Sequence, residues 1–162
     1  MKKLLTLCMA IGLAACSPND HDGMTHGAQA SDHQGMVISA ARVVPPFPGR
    51  DVSAGYFELT NHGADDRLVS ISSPVSPRVE MHTHLNENGV MKMRKIDGLD
   101  LPAGETVTFK PGSYHIMMFK TVMSDAETDV SLTFNFETAP SVTLVADIDG
   151  RGNSGADEHK GH

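Results

Sequence analysis

Arg78-Val79-Glu80-Met81-His82-Thr83-His84-Leu85, then Asn86-Glu87-Asn88-Gly89, then Val90-Met91-Lys92-Met93-Arg94-Lys95-Ile96, reads as strand, turn and strand. Side chains at i and i+2 of a strand share a face. His82 and His84 therefore point one way and Met81 the other, and Met91 pairs with Met93 in the same sense. The connection allows two registers. A four-residue loop sets His82 opposite Met93 and His84 opposite Met91, whereas a two-residue Asn88-Gly89 turn sets His84 opposite Met93. The registers differ by two residues, so the two histidines and two methionines stay on one face in either.

Outward from this hairpin, short β-type runs recur at fairly even intervals with turn residues between them, the pattern of an all-β sandwich or barrel. Strands are expected at 37–43, 55–61, 67–72, 78–85, 90–96, 106–110, 114–119, 130–136 and 142–148. Pro45-Pro46-Phe47-Pro48-Gly49 breaks the first from the second, and Asn61-His62-Gly63 ends the second in a turn that leaves His62 solvated. Leu132, Phe134 and Phe136 alternate with Thr133 and Asn135, and Val142, Leu144 and Ala146 repeat the pattern. These read as half-buried antiparallel strands with core roles. No segment after the first 15 residues keeps helical periodicity over three turns, and Ser124 to Thr128 is read as a single turn at most.

The two ends differ from this middle. Lys2-Lys3 followed by the apolar run Leu4 to Leu13 has the form of an export signal, and ten residues are too few for a membrane-spanning helix. Leu13-Ala14-Ala15-Cys16 resembles a bacterial lipobox, which implies a chain that begins at a lipidated Cys16 and is tethered by its acyl chains. Residues 1–15 are then a signal and 16–35 a flexible tether carrying His21, Met24, His26 and His33, with Met36 just beyond. Residues 36–149 form the folded domain, and 150–162 a flexible tail with His159 and His162. The His- and Met-bearing ends read either as polar linkers or as mobile arms that collect metal, Cu(II) included. Ser17 after Cys16 points toward the outer membrane of a Gram-negative cell, on its periplasmic face.

Composition removes several function classes. The chain has 162 residues, 40% hydrophobic content and a formal net charge of -7, which suits one domain and gives no concentrated positive surface for nucleic acid. Its two cysteines, Cys8 and Cys16, both fall in the signal and lipidation region. The domain thus has no thiol for a disulfide, a nucleophile or the thiolate of a blue-copper centre. Nor does it carry a Ser-His-Asp motif, a phosphate-cradling loop or paired carboxylates at a recognisable spacing. The expectation is a monomer that is not an enzyme.

His115-Ile116-Met117 follows the turn Lys110-Pro111-Gly112-Ser113. If that strand packs beside the hairpin, His82, Met93, His115 and Met117 converge on one site. Two imidazoles and two thioethers make a soft, neutral donor set of the kind that suits Cu(I). His84 and Met91 are the spare donors of the same face, whereas Met81 and Met118 point inward as core filler.

The spacing of these four residues resembles that of the PCu(A)C periplasmic copper chaperones. The resemblance extends over Gly55-Tyr56-Phe57, Val79-Glu80-Met81-His82, Gly89-Val90-Met91-Lys92-Met93, Leu101-Pro102-Ala103-Gly104 and Pro111-Gly112-Ser113-Tyr114-His115, and covers about residues 36–148. It departs at Ser113, where a second Gly is common, and at 119–127, which lacks the usual Pro/Gly-rich connection. It implies a cupredoxin-like β-barrel that binds Cu(I) near its surface and hands it to an acceptor. The acceptor expected is a cytochrome c oxidase subunit at its copper A centre, or a thiol copper chaperone. A copper-sequestering lipoprotein is the competing reading, and a purely structural β-sandwich the bland one.

Overall fold

The computed structural model describes residues 31–33 and 35–150. Among them are eleven strands and no helix: β1 (Ser31–His33), β2 (Met36–Val44), β3 (Val52–Asn61), β4 (Asp66–Ser72), β5 (Arg78–Glu87), β6 (Val90–Ile96), β7 (Leu99–Leu101), β8 (Thr106–Phe109), β9 (His115–Phe119), β10 (Asp129–Phe136) and β11 (Val142–Ile148). All nine expected strands are present. The two additions, β1 and β7, are three residues each, too short for an alternating pattern to register in the sequence. Ser124 to Thr128 makes a turn, in which the Glu127 N–H donates to the Ser124 carbonyl at 3.2 Å.

Hydrogen-bonded neighbours run β6-β5-β9-β3-β2-β11-β10-β4-β7, with β1 added to β2 and β8 to β3. Every pairing is antiparallel except β2 with β11, which meet in parallel at Arg42 and Val43. Between Ser39 and Arg42 the register of β2 on β3 shifts, and Ala40 adopts φ 50°. Such a bulge bends a strand and increases its twist. Here it turns β2 out of the layer it shares with β3 and toward β11, so that one continuous sheet folds into a sandwich.

The inner faces meet over a core of alternating residues. Val130, Leu132, Phe134 and Phe136 of β10 and Val142, Leu144, Ala146 and Ile148 of β11 are all buried. Phe57 of β3 stacks on Phe109 of β8 with centroids 4.1 Å apart and receives the edge of Phe134 at 4.9 Å, which joins the two layers. Aromatic pairs of this kind add about 0.5–1.5 kcal/mol each beyond the area they bury. Met81 and Met118 lie in the same core, as their inward register requires. Met36 does too. It is 2% exposed at the start of β2, and so is core packing rather than part of a metal-collecting arm.

Two polar residues lock the far end of the sandwich. Asn61 is fully buried; its Nδ2 donates to the carbonyls of Ala64 and Leu101, and its Oδ1 accepts the Gly63 N–H. Asp66 accepts N–H groups from Arg67, Thr138 and Ala139 at 2.7–3.0 Å. Burial pushes its pKa up, but these backbone donors together outweigh that and leave it below the usual carboxylate value.

Candidate metal centre

β5 and β6 turn at Asn88 and Gly89, which take φ 55° and 82°. A type I′ hairpin requires positive φ at both central positions, and Asn-Gly is the pair that accepts it at least cost. The two-residue turn therefore sets the register: His84 faces Met93, and His82 faces Lys95. On its other side β5 pairs with β9, where His82 faces His115 and Glu80 faces Met117. Residues directly opposite one another project to the same face, so Glu80, His82, His84, Met91, Met93, Lys95, His115 and Met117 share one surface across three adjacent strands.

Within that surface, His82 and His115 are 8% and 6% exposed, while Met93 is 46% exposed on the edge strand β6. The His115 Nδ1–H donates to the Ser113 carbonyl at 3.1 Å. A carbonyl can only accept, so the proton sits on Nδ1 and the lone pair on Nε2. That Nε2 lies 3.1 Å from the Met93 sulfur. Neither atom then has a proton to offer the other, and two electron-pair donors converge on one point.

His82 is fixed from the opposite side. Its Nε2 lies 3.1 Å from the Glu80 carboxylate, which holds the proton there. Its Nδ1 is buried and has no hydrogen-bond partner among the described residues. A buried, unpaired acceptor is unfavourable by about 1–3 kcal/mol unless something electrophilic meets it. The rings of His82 and His115 are 5.8 Å apart between centroids and near parallel, and His84 stacks on His115 at 4.9 Å. The His84 Nδ1 reaches the same Ser113 carbonyl at 3.3 Å.

Electrostatics keep His115 ready to donate its lone pair. Burial lowers its pKa most, the Ser113 carbonyl raises it, and the charged forms of His84 and His82 lower it further, leaving it below 6.5. The Glu80 pKa is lowered first by its hydrogen bond to His82, then by the nearby Lys95 and Arg78 charges. Lys95 Nζ is 3.7 Å and Arg78 Nε 3.9 Å from its Oε1.

The strands thus set Met93 against His115, with the rings of His82 and His84 at 5.8 and 4.9 Å from the His115 ring between centroids. Met117 sits on the same face two residues along β9, half-buried between Glu80 and Ala54 in register. Met91 is farther along the edge strand opposite Asn86, and 55% exposed. Among the described residues no cluster of three or more His, Cys, Asp or Glu side chains is placed to hold a metal ion. Cys16, His21, Met24, His26, His159 and His162 lie outside the described residues, as does the side chain of His33. Glu80, the same-face neighbour two residues before His82, is legible in the sequence as a group able to tune the site electrostatically, although no spacing requires it. One partner escaped sequence reasoning. Ser113 acts through its backbone oxygen, for which its side chain gives no signal.

The sequence model of the family described as LpqE-like matches residues 36–148. A Rickettsia prowazekii (strain Madrid E) relative, "Uncharacterized protein RP573", is 40% identical over 88 residues, which cover 52% of this chain and 49% of that protein; the chain thus aligns with about half the length of that relative. The "Putative lipoprotein Lxx21020" of Leifsonia xyli subsp. xyli (strain CTCB07) is 27% identical over 147 residues, 86% of each chain. Among solved structures, the copper-bound PCuAC domain from PmoF2 superimposes with a TM-score of 0.63 at 22% identity, covering 74% of this chain and 97% of that one. The Cu(I) form of DR1885 from Deinococcus radiodurans gives 0.56 at 23% identity, covering 76% and 82%. The chain belongs to the LpqE-like family, and its sandwich is the cupredoxin-like fold of the PCuAC domains.

Proposed function

We propose that this protein is a copper carrier that binds Cu(I) through His82, Met93, His115 and Met117 and passes it to an acceptor. The observation that carries the reading is the facing pair of lone-pair donors, His115 Nε2 and Met93 Sδ at 3.1 Å, together with the buried, unpaired Nδ1 of His82, whose ring is stacked 5.8 Å from that of His115. The donors are neutral and soft. They match a monovalent soft ion and discriminate against Zn(II), which is more commonly held by thiolate, imidazole or carboxylate. The structural neighbours agree in kind, since the PCuAC domain from PmoF2 is copper-bound and DR1885 is in a Cu(I) form.

Transfer follows from where the donors sit. His82 and His115 are held by Glu80 and Ser113 from behind, so each imidazole presents one fixed nitrogen. Met93 lies at the rim on an exposed edge strand, while Met117 is half-buried on β9 between β5 and β3. An acceptor's ligand can displace Met93 first while the two histidines still hold the ion, so copper changes hands without entering solvent. His84, stacked on His115, is the nearest spare donor for a three-coordinate intermediate.

The carrier sits outside the cytoplasm, anchored at Cys16, and its acceptor is the copper A centre of cytochrome c oxidase. The lipoprotein description of its relative from Leifsonia xyli supports the anchor. Mixing the Cu(I)-loaded chain with a soluble copper A domain tests the assignment. Copper appearing in the acceptor within minutes supports a carrier. Retention of copper against an excess of acceptor favours sequestration, and the reading as a carrier then fails.

A further inference from the structure

The edge strand that carries Met93 is also the electrically odd part of the molecule. Between residues 78 and 95 four basic side chains, Arg78, Lys92, Arg94 and Lys95, accompany two acidic ones, Glu80 and Glu87. The rest of residues 35–150 carries five basic and thirteen acidic side chains. The hairpin is thus a positive tip on a negative body, and bound Cu(I) adds to its charge. Lys92 and Arg94 pair with Glu87, and Lys95 with Glu80, yet each basic side chain stays about half exposed.

The same tip concentrates exposed apolar side chains. Leu85, Val90, Met91 and Met93 are 46–57% exposed and project from both faces of one hairpin. β6 is the first strand of the hydrogen-bonded order, so among the described residues its outer backbone groups have no strand beside them. An unpaired edge is a template for another strand, and lysines along it discourage pairing with an identical copy. A second copy of this chain would bring Lys92, Arg94 and Lys95 against themselves.

Resting on the copper-carrier reading, we infer that the β6 edge is the docking surface for the acceptor, and that the acceptor presents an acidic, extended segment beside its own copper ligands. Main-chain bonds to β6 supply the register, as in other additions of a strand to a sheet edge. The apolar side chains supply a dry centre around Met93, and the basic residues steer approach by the tip rather than by the acidic body. A partner docked this way meets Met93 before either histidine, the order that stepwise transfer requires. Glu87 and the flanking Asn86 and Asn88 keep the turn polar, which favours a protein surface over insertion into a bilayer.

The test uses the full apo chain and two synthetic probes, an acetylated hexapeptide alternating Glu and Val and its counterpart alternating Lys and Val. Amide NMR is recorded through each titration, and repeated with the variant K92E/R94E, whose changed side chains project away from the metal face. The inference expects the Glu peptide to shift and protect β6 amides, the Lys peptide to leave them unmoved, and the variant to bind the Glu peptide at least ~10-fold more weakly. Equal binding of the two peptides, binding by neither, shifts centred away from β6, or unchanged affinity in a folded variant would each overturn it. A parallel Cu(I) competition titration separates this from the parent reading. A wild-type chain that binds no Cu(I) defeats the carrier assignment, whatever the peptides do. Intact Cu(I) binding with no preference for the acidic peptide defeats only the docking surface, leaving the basic edge as a guard against self-association.

Discussion

Gly55→Ala is a small change that should be felt in stability, next to the proposed metal face. Gly55 of β3 lies opposite Ile116 of β9, the residue between His115 and Met117. A Cβ at position 55 would stand 2.6 Å from Ile116 Cγ1 and 2.7 Å from its Cδ1, against the ~3.5–4.0 Å of ordinary carbon contact. Ile116 is fully buried and cannot swing into solvent. The β9 backbone or the Ile116 rotamer must therefore give by about 1 Å, and overpacking of this kind costs about 1–3 kcal/mol. The loss of unfolded-chain freedom on replacing Gly offsets about 0.4–1 kcal/mol. The net expectation is a loss of about 1–2 kcal/mol, read by urea denaturation as a lower midpoint at constant slope. Ile116→Ala alone leaves a cavity costing about 2–5 kcal/mol. The double variant should cost less than the sum by about 1–3 kcal/mol, because the new methyl fills space the isoleucine has left. Additive effects, or a Gly55→Ala variant within ~0.5 kcal/mol of wild type, would show that β3 and β9 are not held at this spacing.

Asp66→Ala removes an acceptor shared by three backbone N–H groups and should destabilise the fold by about 2 kcal/mol, toward the low end for charged acceptors because the residue is partly exposed. Its folded pKa lies below its ordinary value, so the wild-type contribution is fully present above about pH 4 and is lost as pH falls through the folded value. Denaturation at pH 7 and pH 3 should bring the two proteins closer together at the acid end; a gap of constant size would refute the hydrogen-bonding account. His115 gives a second dependence in the apo protein. Burial lowers its folded pKa below 6.5, so the unfolded chain takes up a proton first as pH falls. Its neutral form favours the fold above about pH 6.5, and that advantage is lost progressively on acidification. A His115→Gln variant should lose less stability than wild type between pH 7 and pH 5; an equal or greater loss would contradict the burial argument.

The parts of this fold that were legible in the sequence are those that a period of two can write. Phe134 and Phe136, or Val142 and Leu144, announce buried faces because every second residue is apolar. Placing Met81 and Met118 inward needed only their phase relative to His82 and His115. β7, by contrast, is the three residues Leu99 to Leu101, and its pairing with β4 depends on a connection that no local pattern records. The parallel contact of β2 with β11 likewise follows from the bulge at Ala40, a residue whose side chain gives no hint of positive φ. At the site, the shared face of the histidines and methionines was readable, but the register was not. Asn88-Gly89 fits both a two-residue turn and the end of a longer loop, and only the φ values at both positions decide. Two features, the carbonyl that holds His115 and the hub at the other end of the sandwich, were hidden for another reason. Ser113 contributes a carbonyl, and Asn61 is a buried hydrogen-bonding hub in what the sequence shows only as a turn.

The most direct test of the central claim is a competitive Cu(I) titration of the full chain beside a variant carrying both Met93→Leu and Met117→Leu. The exchange keeps volume and apolar character, so each protein should unfold within about 1.5 kcal/mol of the other. Wild type should hold one tight equivalent of Cu(I), and the variant should bind that equivalent weaker on the order of a hundredfold or more, since it loses two of the four proposed donors. Equal Cu(I) affinity in the two folded proteins, or no tight binding by wild type, would contradict the assignment of copper to this face.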